Sequence, residues 1–232
     1  MSNAEDRIYL TPTNIIDSDH PNVVEYAEKT ASDASGQIEK AVKLYLAVRD
    51  GIRYDPYLPF HKPEHYRASK ILENGRGFCV PKASLLCALG RATGIPSRVG
   101  FATVRNHLAT RQLIDSMGSN LFVYHAFVEF HLEGEWVKAT PAFNKELCER
   151  HNVPPLEFTG REDSLFQPYN GNNEQFMEYV AYQGVYADIP LAEILEAWKE
   201  TYGAERVRGW IDAAERDGTS RSNFEQEEVW NG

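Results

Sequence analysis

No apolar run in this 232-residue chain approaches the ~20 residues that span a bilayer, so neither a transmembrane helix nor a membrane partner is expected. The opening MSNAEDRIYL carries early acids and no apolar core, so no secretory signal is expected either. Cysteine is scarce, odd in number and widely spaced: Cys79, Cys87 and Cys148. That excludes a disulfide scaffold and fits a reducing cytoplasm. CxxC and HExxH spacings are absent, as are GxGxxG and GxxxxGK[ST], so neither a metal nor a nucleotide cofactor is expected. The net charge of −10 speaks against nucleic acid as a partner. There is no internal repeat and no low-complexity tract. Oligomeric state is left open.

What is present is ordinary globular material, with 42% hydrophobic and 25% charged residues. One local absence is more informative. Between Asn74 and Ile114 there is no acidic residue, while Arg76, Lys82, Arg91, Arg98, Arg105 and Arg111 make the window +6, leaving −16 for the rest. Such a run is either a solvated basic face or, since Cys79 lies within it, a field that favours thiolate over thiol.

Residues 1–21 read as irregular, broken by Pro12 and Pro21. Residues 22–50 carry helical periodicity, and 51–63 read as a proline-rich loop. The next helix opens at Cys79, with Pro81 in its first turn. Its buried stripe is Ala83, Leu86, Cys87 and Gly90, and Gly94-Ile95-Pro96 ends it. Strands follow at 97–104, 121–131 and 135–140, the last two joined by a Glu133-Gly134 turn. In the second strand, Phe122, Tyr124, Ala126, Val128 and Phe130 alternate as a buried face, which leaves His125 on a half-exposed one. Residues 145–186 read as irregular, and 190–202 as an amphipathic helix. The aromatics of 145–202 are too many for a free linker, so this region is expected to pack on the core and border the cleft. Residues 212–232 hold six acids and two arginines and read as an acidic, partly disordered tail. The order of elements predicts an α+β fold. It forms one domain over 1–211, with a motif-bearing core at 38–144 and an extension at 145–211.

Cys79 follows a Gly75-Arg76-Gly77 turn and begins a helix. Free N–H groups and the positive dipole end stabilise a thiolate there and can hold an oxyanion. A free cysteine is equally often a small buried hydrophobe, and both readings stand on local features. Among seven histidines, His125 is the best placed to act as its base.

The run G-R-G-F-C with its helix, then R-A-T-G-I-P-S-R-V, then Y-H-A-F-V-E-F followed by G-E-W-V, resembles the transglutaminase-like superfamily. The resemblance implies a papain-like core, with the nucleophile-bearing helix packed on an antiparallel sheet. It also implies a Cys-His-Asp triad in which Cys79 is the nucleophile and His125 the base. The family's W-x-x-x-D-P-T reads W-V-K-A-T-P-A here, so Thr140 stands where aspartate is expected. A hydroxyl can orient an imidazole but brings no charge. Hairpin register through Glu133-Gly134 pairs Glu129 with Lys138 and makes Thr140 and Asn144 the diagonal neighbours of His125. Either can therefore be the orienter. The expected function is acyl transfer from a peptide, protein or small amide through a Cys79 thioester, with water or an amine as acceptor. A non-catalytic binding module with the same fold is the alternative.

Overall fold

A computed structural model describes residues 4–107 and 109–217, together with Phe224 and Glu227. The helices in chain order are α1 (Pro21–Thr30), α2 (Gln37–Gly51), α3 (Ala68–Asn74), α4 (Cys79–Ala92), α5 (Arg111–Met117), α6 (Lys145–Arg150), α7 (Leu191–Tyr202) and α8 (Ala204–Asp217). The strands are β1 (Arg53–Tyr54), β2 (Arg76–Gly77), β3 (Ser97–Asn106), β4 (Leu121–Leu132), β5 (Glu135–Ala139) and β6 (Met177–Tyr186).

Helix α4 is the centre of the core. Every residue from Cys79 to Arg91 is buried, so the expected single stripe widens to the whole circumference. One side takes α1, α2 and α3, and the other lies on β3 and β4. Gly90 sets the closeness of that contact: a Cβ there would lie 2.6 Å from Phe130 Cε1 and run into Ser97 Oγ. Buried polar groups on α4 are spent as struts. Lys82 Nζ donates to the carbonyls of Arg49 (2.9 Å) and Ile52 (2.6 Å). The Arg91 guanidinium donates to those of Ser97, Thr11 and Ala187.

The four-stranded sheet has the order β5-β4-β3-β6, antiparallel throughout. The β4–β5 hairpin has the expected register, Leu132 opposite Glu135 and Glu129 opposite Lys138. Glu133 (φ 52°) and Gly134 (φ 97°) both take the left-handed turn conformation. The ladder ends at the Val128–Ala139 pair, and Ala139 also makes a parallel bridge to Ser164. A two-residue parallel ladder, Arg53–Arg76 and Tyr54–Gly77, ties the loop after α2 to the turn before Cys79.

Two expectations are corrected. Strand β4 carries one extra residue between its His125–Ala102 and Phe122–Val104 pairs, and Tyr124 there has φ 59°. The bulge interrupts the alternation, and every residue from His125 to Phe130 is buried, so His125 is not half-exposed. Residues 145–186, expected to be irregular, contain α6 and the edge strand β6. The short helices α3 and α5 gave no periodic signal of their own. Residues 212–217 complete α8. Beyond them, Phe224 packs on Tyr54 and Tyr57, and Glu227 Oε2 accepts from the Tyr57 (2.9 Å) and Thr110 (2.6 Å) hydroxyls. The rest of the expected tail lies outside the described residues. Among the described residues no helix is long and apolar enough to cross a membrane.

Candidate active site

Cys79 is the first residue of α4, behind an extended Phe78 cap that offers no side-chain hydrogen bond. Its thiol therefore faces free backbone N–H groups, and those of Cys79, Val80 and Ala126 lie near enough to favour its thiolate form. The Ala126 contact seats the sulfur against the peptide that follows His125. Burial outweighs these donors and pushes the thiol up to about 11. His125 is 5% exposed and its ring lies 5.0 Å from that of Phe166. Burial pushes the imidazole down to about 3, so both groups are neutral near pH 7. Cys79 and His125 line one cavity of about 420 Å³.

The acid-free window does not make a positive field at the thiol. Arg76 pairs with Asp55 (3.3 Å), Arg98 with Glu129 (2.6 Å), Arg105 with Glu178 (3.2 Å) and Arg111 with Asp115 (3.9 Å). Lys82 and Arg91 serve carbonyls, as described. Each acid is supplied from outside the window, and tertiary pairing cancels what the local count suggested. Nor does ionisation separate the three cysteines. All are buried and free, and burial also raises Cys87 and Cys148 to about 11. What distinguishes Cys79 is its place on the cavity wall.

The two possible orienters part company. Asn144 is engaged elsewhere: its Oδ1 accepts from the Tyr54 N–H (3.2 Å) and its Nδ2 donates to Glu146 (3.1 Å). Thr140 is 1% exposed, and its hydroxyl has no hydrogen bond of ordinary length, though the Tyr179 hydroxyl is near enough to feel it. His125 Nε2 is likewise buried without a partner. With the ladder ended at Ala139, neither residue stands across the sheet from His125.

Several residues of the site gave no sequence signal as functional. Trp198 and Tyr202 of α7 line the cavity and hold the start of β4. The Trp198 indole donates to the Val123 carbonyl (3.0 Å). The Tyr202 hydroxyl accepts from the Val123 N–H (3.0 Å) and donates to the Leu121 carbonyl (3.0 Å). The expectation that 145–202 borders the cleft holds for these two, while Tyr169 and Tyr182 are 53% and 60% exposed. Only their tertiary position separates the cleft aromatics from the others. Among the described residues no group of three or more His, Cys, Asp or Glu is placed to hold a metal.

A thiol at the head of a buried helix, beside an antiparallel strand that carries a histidine, is the architecture of the papain-like cysteine folds. The transglutaminase-like superfamily profile matches residues 24–141, just over half of the chain, and the chain belongs to that superfamily. No curated protein sequence matches it. A "putative cysteine protease" from Cytophaga hutchinsonii is similar in structure, with a TM-score of 0.53 at 16% identity over 83% of this chain. This chain spans 50% of that protein's length, and the likeness concerns the fold. A "putative protease" from Parabacteroides distasonis aligns at TM-score 0.41 and 16% identity over 58% of this chain and 26% of its own, below the level from which a shared fold follows.

Proposed function

We propose that this protein is a cysteine acyl-transfer enzyme that cleaves an amide bond through a Cys79 thioester. The observation that carries the reading is the placement of the thiol at the head of α4 and of His125 on the wall of a cavity that both share. In the reaction, Cys79 Sγ attacks the amide carbonyl as His125 takes the thiol proton. The C–N bond then breaks, and the imidazolium returns that proton to the leaving amine. The Cys79 N–H helps hold the oxyanion. Tyr54 is the second donor: β1–β2 pairing brings it beside the nucleophile, close enough for its hydroxyl to sense the thiolate charge. Water resolves the thioester, since the described cavity residues include no carboxylate to receive a cationic amine donor. The orienter of His125 is Thr140, because Asn144 is engaged by Tyr54 and Glu146.

The test is to trap the acyl-enzyme from a library of peptide amides and locate the adduct by mass spectrometry. An adduct on Cys79, lost in His125→Ala, is the expected result. Absence of any adduct across the library favours the binding-module reading. That reading draws on the two partnerless polar atoms, His125 Nε2 and Thr140 Oγ1.

A further inference from the structure

The cavity beside Cys79 has a composition that bears on what the acyl group carries. Its wall is built from Phe60, Phe78, Phe122, Trp198, Tyr202 and Trp210, and among the described residues no Asp, Glu, Lys or Arg lines it. The polar ends of three of its amphipathic rings are turned to other work. The Trp198 indole and the Tyr202 hydroxyl are bound to the backbone of β4, and the Tyr57 hydroxyl to Glu227. Among the described residues the wall away from Cys79, His125 and the Tyr54 hydroxyl is thus mostly carbon, with Ser116 as a small polar side chain. The rings also brace one another. Phe60 lies 5.1 Å from Trp198 and 6.1 Å from Trp210, and Tyr202 lies 5.7 Å from Trp210. The shape is therefore preformed rather than waiting to collapse. At about 420 Å³ it exceeds the ~150 Å³ that takes up a benzene ring in a dry protein cavity, and it falls within the range of small-molecule sites.

We infer that this cavity is the acyl-side specificity pocket and that it selects substrates whose acyl group bears a bulky, uncharged, apolar side chain of phenylalanine size. The inference rests on the reading of Cys79 as the nucleophile. A charged side chain entering the pocket would lose its hydration and find no counter-charge. An alanyl group would leave most of the wall unfilled. Full burial of a phenylalanine-sized side chain favours it over a small one by roughly 10- to 150-fold.

The experiment measures rates of Cys79 alkylation by N-acetyl-phenylalanyl, -alanyl, -glutamyl and -lysyl chloromethyl ketones, with iodoacetamide as a reagent that needs no pocket. The expected result is a phenylalanyl rate at least about tenfold above the alanyl rate, with both charged reagents slowest. Ala213→Trp, which projects bulk into the cavity from α8, should reduce the phenylalanyl-to-alanyl ratio. Equal phenylalanyl and alanyl rates, or a faster charged reagent, overturn the inference while leaving Cys79 as nucleophile if iodoacetamide still labels it in a His125-dependent way. If iodoacetamide does not label Cys79, the nucleophile reading fails, and the pocket is judged in Cys79→Ala by fluorescence. Saturable perturbation of Trp198 and Trp210 emission by N-acetylphenylalaninamide but not by N-acetylglutamate supports an apolar site, and no perturbation by either overturns it.

Discussion

Replacing Thr140 by valine separates a structural threonine from a working one, because the two effects have opposite signs. The side chain is 1% exposed and its hydroxyl is buried without a hydrogen bond. Valine has nearly the same shape and removes a polar group that lost its hydration and gained little in return. Thr140→Val should therefore raise stability by about 1 kcal/mol, the lower end of what an unsatisfied buried polar group costs. If Thr140 orients His125 in the working enzyme, the same change should lower kcat at least about tenfold. The loss should stay short of the ~10⁴ that follows from disabling a charged triad member. Asn144→Ala is the counter-experiment. It leaves the buried Tyr54 N–H unpaired and should cost about 1–3 kcal/mol. No capping energy adds to this, because the Asn144 side chain makes no cap bond to α6. The pH profile of kcat, which reports on the imidazole, should move only in Thr140→Val. Urea melts give the first comparison and steady-state kinetics the second. A less stable Thr140→Val protein would refute the burial argument, and unchanged kcat would remove Thr140 from the site.

Gly90→Ala should destabilise by about 1–3 kcal/mol despite alanine's better helix propensity, because the new methyl meets Phe130 at 2.6 Å and α4 must lift from β4. Phe130→Leu in the same chain should recover part of that loss in a denaturant melt. His125 stays neutral in the folded protein down to about pH 3 and protonates near its ordinary 6.5 when unfolded. Stability is therefore intact above pH 6.5 and falls towards pH 3, by at most about 5 kcal/mol from this group. His125→Phe should flatten that part of the acid dependence in urea midpoints taken from pH 7 to 4. Lys82 has the same sign in another window: burial lowers it to about 7 from 10.5, so the unfolded chain holds the extra proton and stability rises from pH 7 to 10.5. Lys82→Met should abolish that rise and also orphan the Arg49 and Ile52 carbonyls, making it the less stable protein above pH 9 by thermal melting.

Sequence reading succeeded where short-range rules decide. Glu133-Gly134 specified a turn and with it the β4–β5 register, and a glycine turn before Cys79 with Pro81 after it marked the head of α4. It failed where burial comes from distant chain. His125 was read as half-exposed because one strand shows only its own alternation. Phe166, far along the chain, covers the ring, and the bulge at Tyr124 shifts the faces. Strand β6 was missed because an edge strand broken by Gln183-Gly184 lacks a clean alternation. Its existence depends on pairing with β3 across two register shifts. The placement of Thr140 and Asn144 across from His125 assumes that the hairpin runs on, whereas its ladder ends at the Val128–Ala139 pair.

The largest revision concerns charge, and it alters how the proposed chemistry must run. Counting residues in the window around Cys79 allows either a solvated basic face or a positive field that favours the thiolate. In the fold, Asp55, Glu129 and Glu178 come from other segments to neutralise Arg76, Arg98 and Arg105. The surroundings of the thiol are left apolar. A low-dielectric site disfavours a lone charge on either partner, which is why the thiol is raised to about 11 and the imidazole lowered to about 3. It strengthens attraction between charges that arise together at short range. A resting neutral pair is thus compatible with catalysis when proton transfer from Cys79 to His125 accompanies attack. The negative charge then passes to the substrate oxygen, at the N–H groups that open α4, while the imidazolium forms beside it. Under the proposed reaction, an apolar acyl side chain filling the aromatic cavity would displace water and sharpen this effect, so substrate fit and proton transfer would be coupled through the same wall of rings.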